Sequence, residues 1–251
     1  MSLLLSIETS TLICSVALHE EGYLIQSIEN EIPQSASSQL AVMIHQALES
    51  AERKPNQIQA VVVSSGPGSY TGLRIGVATA KGICYALNVP LLSINTLELL
   101  AYQYSSSKVE PSPFSLGEGS GMRLAEASPS ERGLGGEVFC PMLDARRMEV
   151  YCMLLDSNLS TLEPTHAKII DESSFKDQLD QQPIYFFGNG ADKCKEAIKH
   201  PNAHFISGIV PSAVKLGELG FKKYKATLFE DVATFEPFYL KDFLIRKPNP
   251  V

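Results

Sequence analysis

The 251-residue chain has no CxxC pair, no excess of positive charge and no long apolar run. Its five cysteines are odd in number and widely spread, which favours buried, reduced thiols over a zinc ribbon or a disulfide framework. A net charge of −7 disfavours broad contact with nucleic-acid phosphates or with an anionic membrane. No apolar stretch is long enough to cross a bilayer, and no basic segment opens the N-terminus. We therefore expect no signal peptide and a cytoplasmic location.

Strand and helix patterns alternate through the first hundred residues. Three short strand patterns are followed by a helix over 35–52, a buried strand over 60–64, a helix over 71–87, a strand over 90–94 and a helix from 96. A second strand–turn–strand opening begins near residue 138. The repeat predicts a duplicated α/β fold whose two halves hold a ligand cleft between them. A single doubly wound domain with an insertion is the alternative.

Composition sets the predicted boundaries. Ser, Gly, Glu and Pro fill 22 of the 33 positions over 105–137, so this stretch buries too little apolar surface to offset its ordering entropy. We expect a flexible insertion there, cut first in limited proteolysis. The predicted parts are an α/β subdomain over 1–104, the insertion, a second α/β subdomain over 138–230 and a tail over 231–251.

The segment over 65–76, SGPGSYTGLRIG, follows a buried strand and opens a helix. Backbone N–H groups at such a helix start suit an anion. The segment is not a Walker A loop, because Leu73-Arg74 stands where Gly-Lys-Ser/Thr is required. A tight turn with Thr71 as the N-cap is the structural alternative.

Several short turns could together hold a nucleotide. Glu8 ends a strand and is followed by hydroxyl residues, the arrangement that holds Mg²⁺ and phosphate in actin–hexokinase-type phosphotransferases. Asp144 takes the equivalent place in the second half, and Gly188-Asn189-Gly190 is a candidate turn on the adenosine side. The candidate nucleotide or phosphate residues are Glu8, Thr9, Ser10, Gly66, Gly68, Ser69, Arg74, Asp144, Gly188 and Gly190.

The helix over 71–87 has more apolar surface than one sheet can cover. Arg74, Lys81 and Tyr85 form one narrow polar stripe, whereas a helix lying on a sheet needs an apolar stripe of only about 100°. Its glycines favour a closely approaching neighbour, which is either another part of this chain or a second protein.

The histidines do not indicate a metal site. His200 and His204 have the HxxxH spacing, but Pro201 and Asn202 between them predict a turn, and two histidines at that spacing share a face only on a helix. Neither a nucleophile elbow nor a Ser-His-Asp order is present in the sequence. We therefore assign no catalytic residue and no metal ligand.

Four segments resemble the bacterial TsaB family. They are Ile7-Glu8-Thr9-Ser10, the glycine-rich segment over 65–76, Asp144-Ala145-Arg146-Arg147-Met148-Glu149-Val150-Tyr151 and Glu236-Pro237-Phe238-Tyr239-Leu240. The resemblance implies an actin–hexokinase-type fold of two similar subdomains, each opening with a β-meander. It also implies a role in making threonylcarbamoyladenosine next to the anticodon of tRNAs that read codons starting with A.

The resemblance further implies a non-catalytic scaffold that pairs with and activates a catalytic TsaD-type paralogue, with a TsaE-type ATPase joining the pair. The partner would hold most of the tRNA, and ATP with Mg²⁺ would act only at the level of the complex, with no tightly bound cofactor here. The metal-binding histidines of the TsaD-type helix are not carried over, because the helix over 35–52 contains only His45. The expected partner interface comprises Leu40, Ile44, Ala47, Leu48, Gly72, Leu73, Ile75, Gly76, Ala80 and Ile83.

Two other functions remain open from the sequence. One is a metal- or ATP-dependent enzyme of the same fold, either a glycoprotease-like peptidase or a kinase. The other is a homodimeric binding module, since the same helices could close on a second copy by two-fold symmetry when the chain is isolated.

Overall fold

The structure is a computed structural model that describes residues 2–30, 36–108 and 136–241. The chain divides into two compact units, one of residues 1–96 with 211–251 and one of residues 97–210. Most of the predicted insertion, residues 109–135, and the end of the predicted tail, residues 242–251, lie outside the described residues. No helix among the described residues is long and apolar enough to cross a membrane.

Ten strands and five helices make up the regular structure of the described residues. In chain order, the strands are β1 (Leu3–Glu8), β2 (Cys14–Glu20), β3 (Tyr23–Asn30), β4 (Ile58–Gly66), β5 (Leu91–Asn95), β6 (Val138–Asp144), β7 (Glu149–Asp156), β8 (Thr161–Ile169), β9 (Ile184–Phe187) and β10 (Ala203–Ile206). The helices are α1 (Ala36–Ser50), α2 (Tyr70–Leu87), α3 (Thr96–Ser107), α4 (Lys176–Leu179) and α5 (Ala213–Lys225). Single 3₁₀ turns lie at Pro55–Gln57 and Asp192–Cys194.

The two five-stranded sheets share one topology. The first runs β3-β2-β1-β4-β5 and the second, read in the same direction, β8-β7-β6-β9-β10. In each sheet the first three strands along the chain are antiparallel, and the next two add in parallel. This duplicated order, in which each sheet opens with a meander, is the predicted actin–hexokinase-type arrangement. The fold prediction is therefore confirmed.

Local signals fix both ends of α2. The Ser69 side chain accepts a hydrogen bond from the Gly72 amide at 3.2 Å, so Ser69 is the N-cap and the predicted cap at Thr71 is wrong by two residues. Asn88 ends the helix in a left-handed conformation at φ 54°. The caps place the buried face of α2, which includes Leu73, Val77 and Ala80, on the first sheet.

Two helices belong to units other than the predicted ones. In the second unit, α3 buries Leu97, Leu100 and Tyr104 against Phe139 and Phe187. α3 also continues to Ser107, into the stretch predicted as an insertion. The second such helix is α5. It packs on β1 and β2 of the first sheet, although the predicted boundaries place it in the second subdomain. Helical periodicity shows that a helix has an apolar face, but not which sheet covers that face.

Candidate functional site

The predicted interface stripe of α1 faces the core of the first unit. Leu40, Ile44, Ala47 and Leu48 are all 8% exposed or less, and they pack with strand residues such as Ile7. A partner could not contact these side chains without unpacking the helix. The prediction that these four residues form the interface is therefore wrong, because the apolar stripe of α1 covers its own sheet.

Most of the predicted interface residues of α2 are buried as well. Gly72, Leu73, Gly76 and Ala80 all face inward. A Cβ at Gly76 would overlap the Thr9 hydroxyl group, and one at Gly72 would overlap the Thr9 carbonyl oxygen. The close neighbour that these glycines require is the β1–β2 turn of the same chain, so they too are corrected from interface to core.

Ile75 and Ile83 remain from the predicted set. Both are partly buried residues of α2 that pack at the edge of the core between the helices and the first sheet. They lie beside the surface that α2 exposes, and they are the two predicted interface positions that a partner could reach.

The outward surface of α1 and α2 is apolar or small at several positions. Tyr85 is 87% exposed and Val42 is 45% exposed. Ala78, Gly82 and Ala86 are also exposed, and a Cβ at Gly82 would meet nothing within 4 Å. We call these five residues the outer helix face. Both helices cover the sheet side that carries Ile7, so the outer helix face points away from that side.

The Glu8 carboxyl group is buried and fully engaged. Its Oε1 accepts a hydrogen bond from the Ser10 amide at 2.6 Å, and the Ser64 hydroxyl group bonds its Oε2. Glu8 is 0% exposed, and burial raises its pKa to about 7 although the hydrogen bonds from Ser10 act to lower it. A carboxyl group so enclosed, and with both oxygens in use, has no oxygen open to Mg²⁺.

The turn after β1 packs against the glycine-rich segment over 65–76. The Ser69 amide donates to the Ser10 carbonyl oxygen at 2.6 Å, and a Cβ at Gly68 would overlap that carbonyl group. Thr9 donates its hydroxyl hydrogen to the Gly72 carbonyl oxygen at 2.8 Å. The turn after β1 therefore packs directly against the glycine-rich segment and engages the Ser69 amide, one of the groups that an anion would need.

A second segment covers the other side of this loop. The Phe238 amide donates to the Ser65 carbonyl oxygen at 2.6 Å, and a Cβ at Gly66 would lie 2.7 Å from the Phe238 carbonyl oxygen. Gly66 itself has φ 111°, which side chains rarely adopt. Arg74 lies outside the loop and donates to the Tyr70 hydroxyl oxygen at 3.1 Å. These contacts favour the tight-turn interpretation over an open anion site.

The remaining candidate residues lie together in the second unit. The Asp144 amide donates to Asn189 Oδ1 at 3.1 Å, which brings the turn after β6 to the turn after β9. Gly188 and Gly190 are buried where a Cβ would press on the backbone of β6. Their glycine identity therefore follows from close packing.

A lysine that the sequence interpretation missed fills this second group. Lys193 Nζ forms an ion pair with the Asp144 carboxylate and donates to the carbonyl oxygens of Arg147 at 2.8 Å and Glu149 at 2.6 Å. The Asp144 carboxylate is thus already paired with a cation. No signal in the sequence singles out Lys193, which lies more than forty residues along the chain from its partners.

The histidines take ordinary structural roles. His200 Nε2 lies 3.2 Å from Asp180 Oδ1, and the His204 ring stacks on Tyr185. Pro201 and Asn202 form the turn that the sequence predicts between them. Within residues 2–30, 36–108 and 136–241, no group of three or more His, Cys, Asp or Glu residues is arranged to hold a metal ion.

Comparison with known proteins adds sequence relatives and solved structures. The model of the family TsaD, tRNA N6-adenosine threonylcarbamoyltransferase, matches residues 30–117. The tRNA threonylcarbamoyladenosine biosynthesis protein TsaB of Bacillus subtilis is 34% identical over 98 residues, which are 39% of this chain and 43% of that protein. The Escherichia coli protein of the same name is 32% identical over 98 residues, 39% of this chain and 42% of that protein. The matched segments thus span less than half the length of these curated relatives.

The solved structures match over a longer span. YeaZ from Pseudomonas aeruginosa has a TM-score of 0.75 at 22% identity, and the match covers 96% of this chain and all of that chain. The repeated sheet order and the match to the YeaZ structure show an actin–hexokinase-type fold of two similar units. Over about two fifths of its length, this chain is similar to the TsaD family model and to the curated TsaB proteins. The resemblance found in the sequence is confirmed.

Proposed function

We propose that this chain is a non-catalytic subunit of the machinery that makes threonylcarbamoyladenosine in tRNA, and that it docks a TsaD-type catalytic partner on the outer helix face. The observation that carries the proposal is this face itself, which exposes Val42 on α1 and both Tyr85 and the open Gly82 on α2. The names of the curated relatives support the same pathway, and the matched segment over 30–117 includes both helices.

The chemistry of the face suits another helix. Small residues such as Ala78 and Gly82 let two backbones approach closely, and exposed aromatic residues such as Tyr85 are enriched at protein interfaces. Ile75 and Ile83 would complete the buried area at its edge. The partner would therefore contact the outward side of α1 and α2, while their inward side stays on the first sheet.

The TsaD-type partner would carry out the chemistry. Both Glu8 oxygens are engaged and the Asp144 carboxylate is paired with Lys193, so neither group is open to a catalytic metal ion. We expect the chain alone to transfer no threonylcarbamoyl group, to hydrolyse no peptide or ATP, and to bind no stoichiometric zinc or iron. A TsaE-type ATPase would join the pair, tRNA would be held mainly by the partner, and ATP with Mg²⁺ would act only at the level of the complex.

The test is co-purification with the TsaD-type protein of the same cell. Gly82→Leu adds a side chain into open space, so the variant should fold normally and lower the affinity for the partner by about tenfold or more. Gly136→Leu, in the second unit, is the control, because it makes the same change in open space and should leave the affinity unchanged. Unchanged association of Gly82→Leu would place the interface elsewhere.

The outer helix face also favours the homodimer as a second candidate. A single exposed patch can meet its own copy around a two-fold axis. Sedimentation of the isolated chain and of the mixture with the partner separates the two cases. A dimer that persists at equimolar partner would favour the binding module over the scaffold.

A further inference from the structure

The turn between β6 and β7 exposes two adjacent arginines. Arg146 and Arg147 both have left-handed backbone conformations, with φ 70° and φ 49°. Both side chains are exposed, and neither guanidinium group has a polar partner among the residues that the structure describes. Two cations therefore project side by side from one short turn of a chain whose net charge is −7.

Arg146 and Arg147 occupy backbone conformations that glycine or asparagine would adopt at a lower conformational free energy. A left-handed conformation costs an ordinary residue about 1 kcal/mol or more, whereas glycine adopts it freely and asparagine often does. The backbone of a tight turn does not need a guanidinium group. Among the described residues, Arg146 and Arg147 are the one pair of successive non-glycine residues with positive φ, and such paired strain points to a use for their side chains.

The surrounding contacts hold the turn in this shape. The Arg146 amide donates to Asp144 Oδ1 at 2.9 Å, and Lys193 bonds the Asp144 carboxylate together with the Arg147 and Glu149 carbonyl oxygens. Lys193 thereby neutralises the charge of the Asp144 carboxylate, so this carboxylate does not offset the positive charge of the neighbouring arginines. The turn presents its two guanidinium groups from a fixed base.

We infer that Arg146 and Arg147 bind phosphate groups of the RNA backbone. Guanidinium groups match phosphate oxygens in geometry and charge. A small nucleotide needs walls that bury most of its surface, whereas both arginines are exposed on a turn, which suits a polymer that passes over the surface. The choice of RNA rests on the proposed function, in which tRNA is the substrate of the complex.

The experiment measures binding of a fluorescent tRNA to the full chain and to its mixture with the TsaD-type partner. The double variant Arg146→Gln with Arg147→Gln should bind tRNA about tenfold more weakly at about 50 mM salt. Its plot of log affinity against log salt should be shallower by about 1.4 to 1.8, the contribution of two phosphate contacts. Lys199→Gln with Lys225→Gln removes the same charge from exposed positions elsewhere and should leave both quantities close to those of the parent chain.

The outcomes separate this inference from the proposed function. A double arginine variant that still co-purifies with the partner but shows the shallower salt slope supports both. A slope that changes while the parent chain binds no partner supports the arginine site and overturns the scaffold role. A variant that binds tRNA like the lysine control, or a parent chain that binds no tRNA in either form, overturns the arginine site.

Discussion

Gly76 lies directly against the Thr9 side chain, and a Cβ at position 76 would overlap the Thr9 hydroxyl group. The same hydroxyl group donates to the Gly72 carbonyl oxygen one turn earlier in α2. The helix is therefore held against the turn after β1 by a contact in which the glycine Cα faces a polar side chain. A larger residue at 76 can be accommodated only if the Thr9 side chain or α2 itself shifts.

We expect Gly76→Leu to destabilise the first unit by about 1 to 3 kcal/mol or more, as overpacking of a close contact does. Thermal unfolding followed by circular dichroism measures the change. Gly82→Leu lies on the outward side of the same helix and should keep the parent melting temperature within a few degrees. Equal stability of the two variants would show that Gly76 is not packed as described.

Glu8 should make stability depend on pH in an unusual direction. The folded chain holds a proton on Glu8 up to about pH 7, whereas an exposed glutamate releases its proton near 4.5. Folding therefore loses stability as the pH rises from 4.5 through 7, where ionisation of the buried group costs about 3 kcal/mol. Glu8→Gln mimics the protonated acid, so above pH 7 it should exceed the parent chain in stability.

Urea unfolding of both chains at pH 5 and pH 8 measures this effect. Burial lowers the pKa of His19 and gives a slope of opposite sign, but both chains share it, so the difference between them isolates Glu8. Glu196→Gln removes an exposed carboxylate and serves as the control. A Glu8→Gln chain that gains nothing on the parent between the two pH values would contradict the buried, protonated state.

The five thiols should be inert in the folded chain. All five are free and buried, as the sequence predicts, and burial raises the pKa of Cys14, Cys84 and Cys194 to about 11. The thiolate is the reactive form, so at pH 8 these three thiols react about a hundredfold more slowly than ordinary exposed ones. Labelling with a maleimide and mass spectrometry should find no adduct before unfolding and five after it in guanidinium. Rapid labelling of the native chain would show that a buried thiol is open to solvent.

The sequence predicts the architecture well because its signals are local. The Ser65-Gly66-Pro67-Gly68 break and the alternation of strands and helices set the order of elements in each half. The apolar stripes of α1 and α2 were also predicted correctly as stripes. The surface that these stripes contact was predicted wrongly, because a stripe that covers a sheet and one that covers a partner have the same periodicity.

The candidate site depended on contacts that are distant in sequence. Thr9 fills the space beside Gly76, Phe238 covers Ser65, and Lys193 pairs with Asp144. Nothing near any one residue indicates its partner. A glycine-rich turn that encloses a phosphate and one that encloses its own chain have the same composition.

The placement of α5 has a consequence for the order in which the chain folds during synthesis. The first sheet is covered on one side by α1 and α2, while Val62 and His19 on its other side pack against Gly220 and Gly217 of α5. The ribosome makes α5 only after every strand of the second unit. Until α5 is made, the side of the N-terminal sheet that α5 covers therefore stays exposed. The second unit is synthesised later than this sheet, but all its strands and helices are made before α5, so it is the first unit that can complete its hydrophobic core. Slowing of translation between residues 206 and 213 should prolong the exposure of that bare side to chaperones.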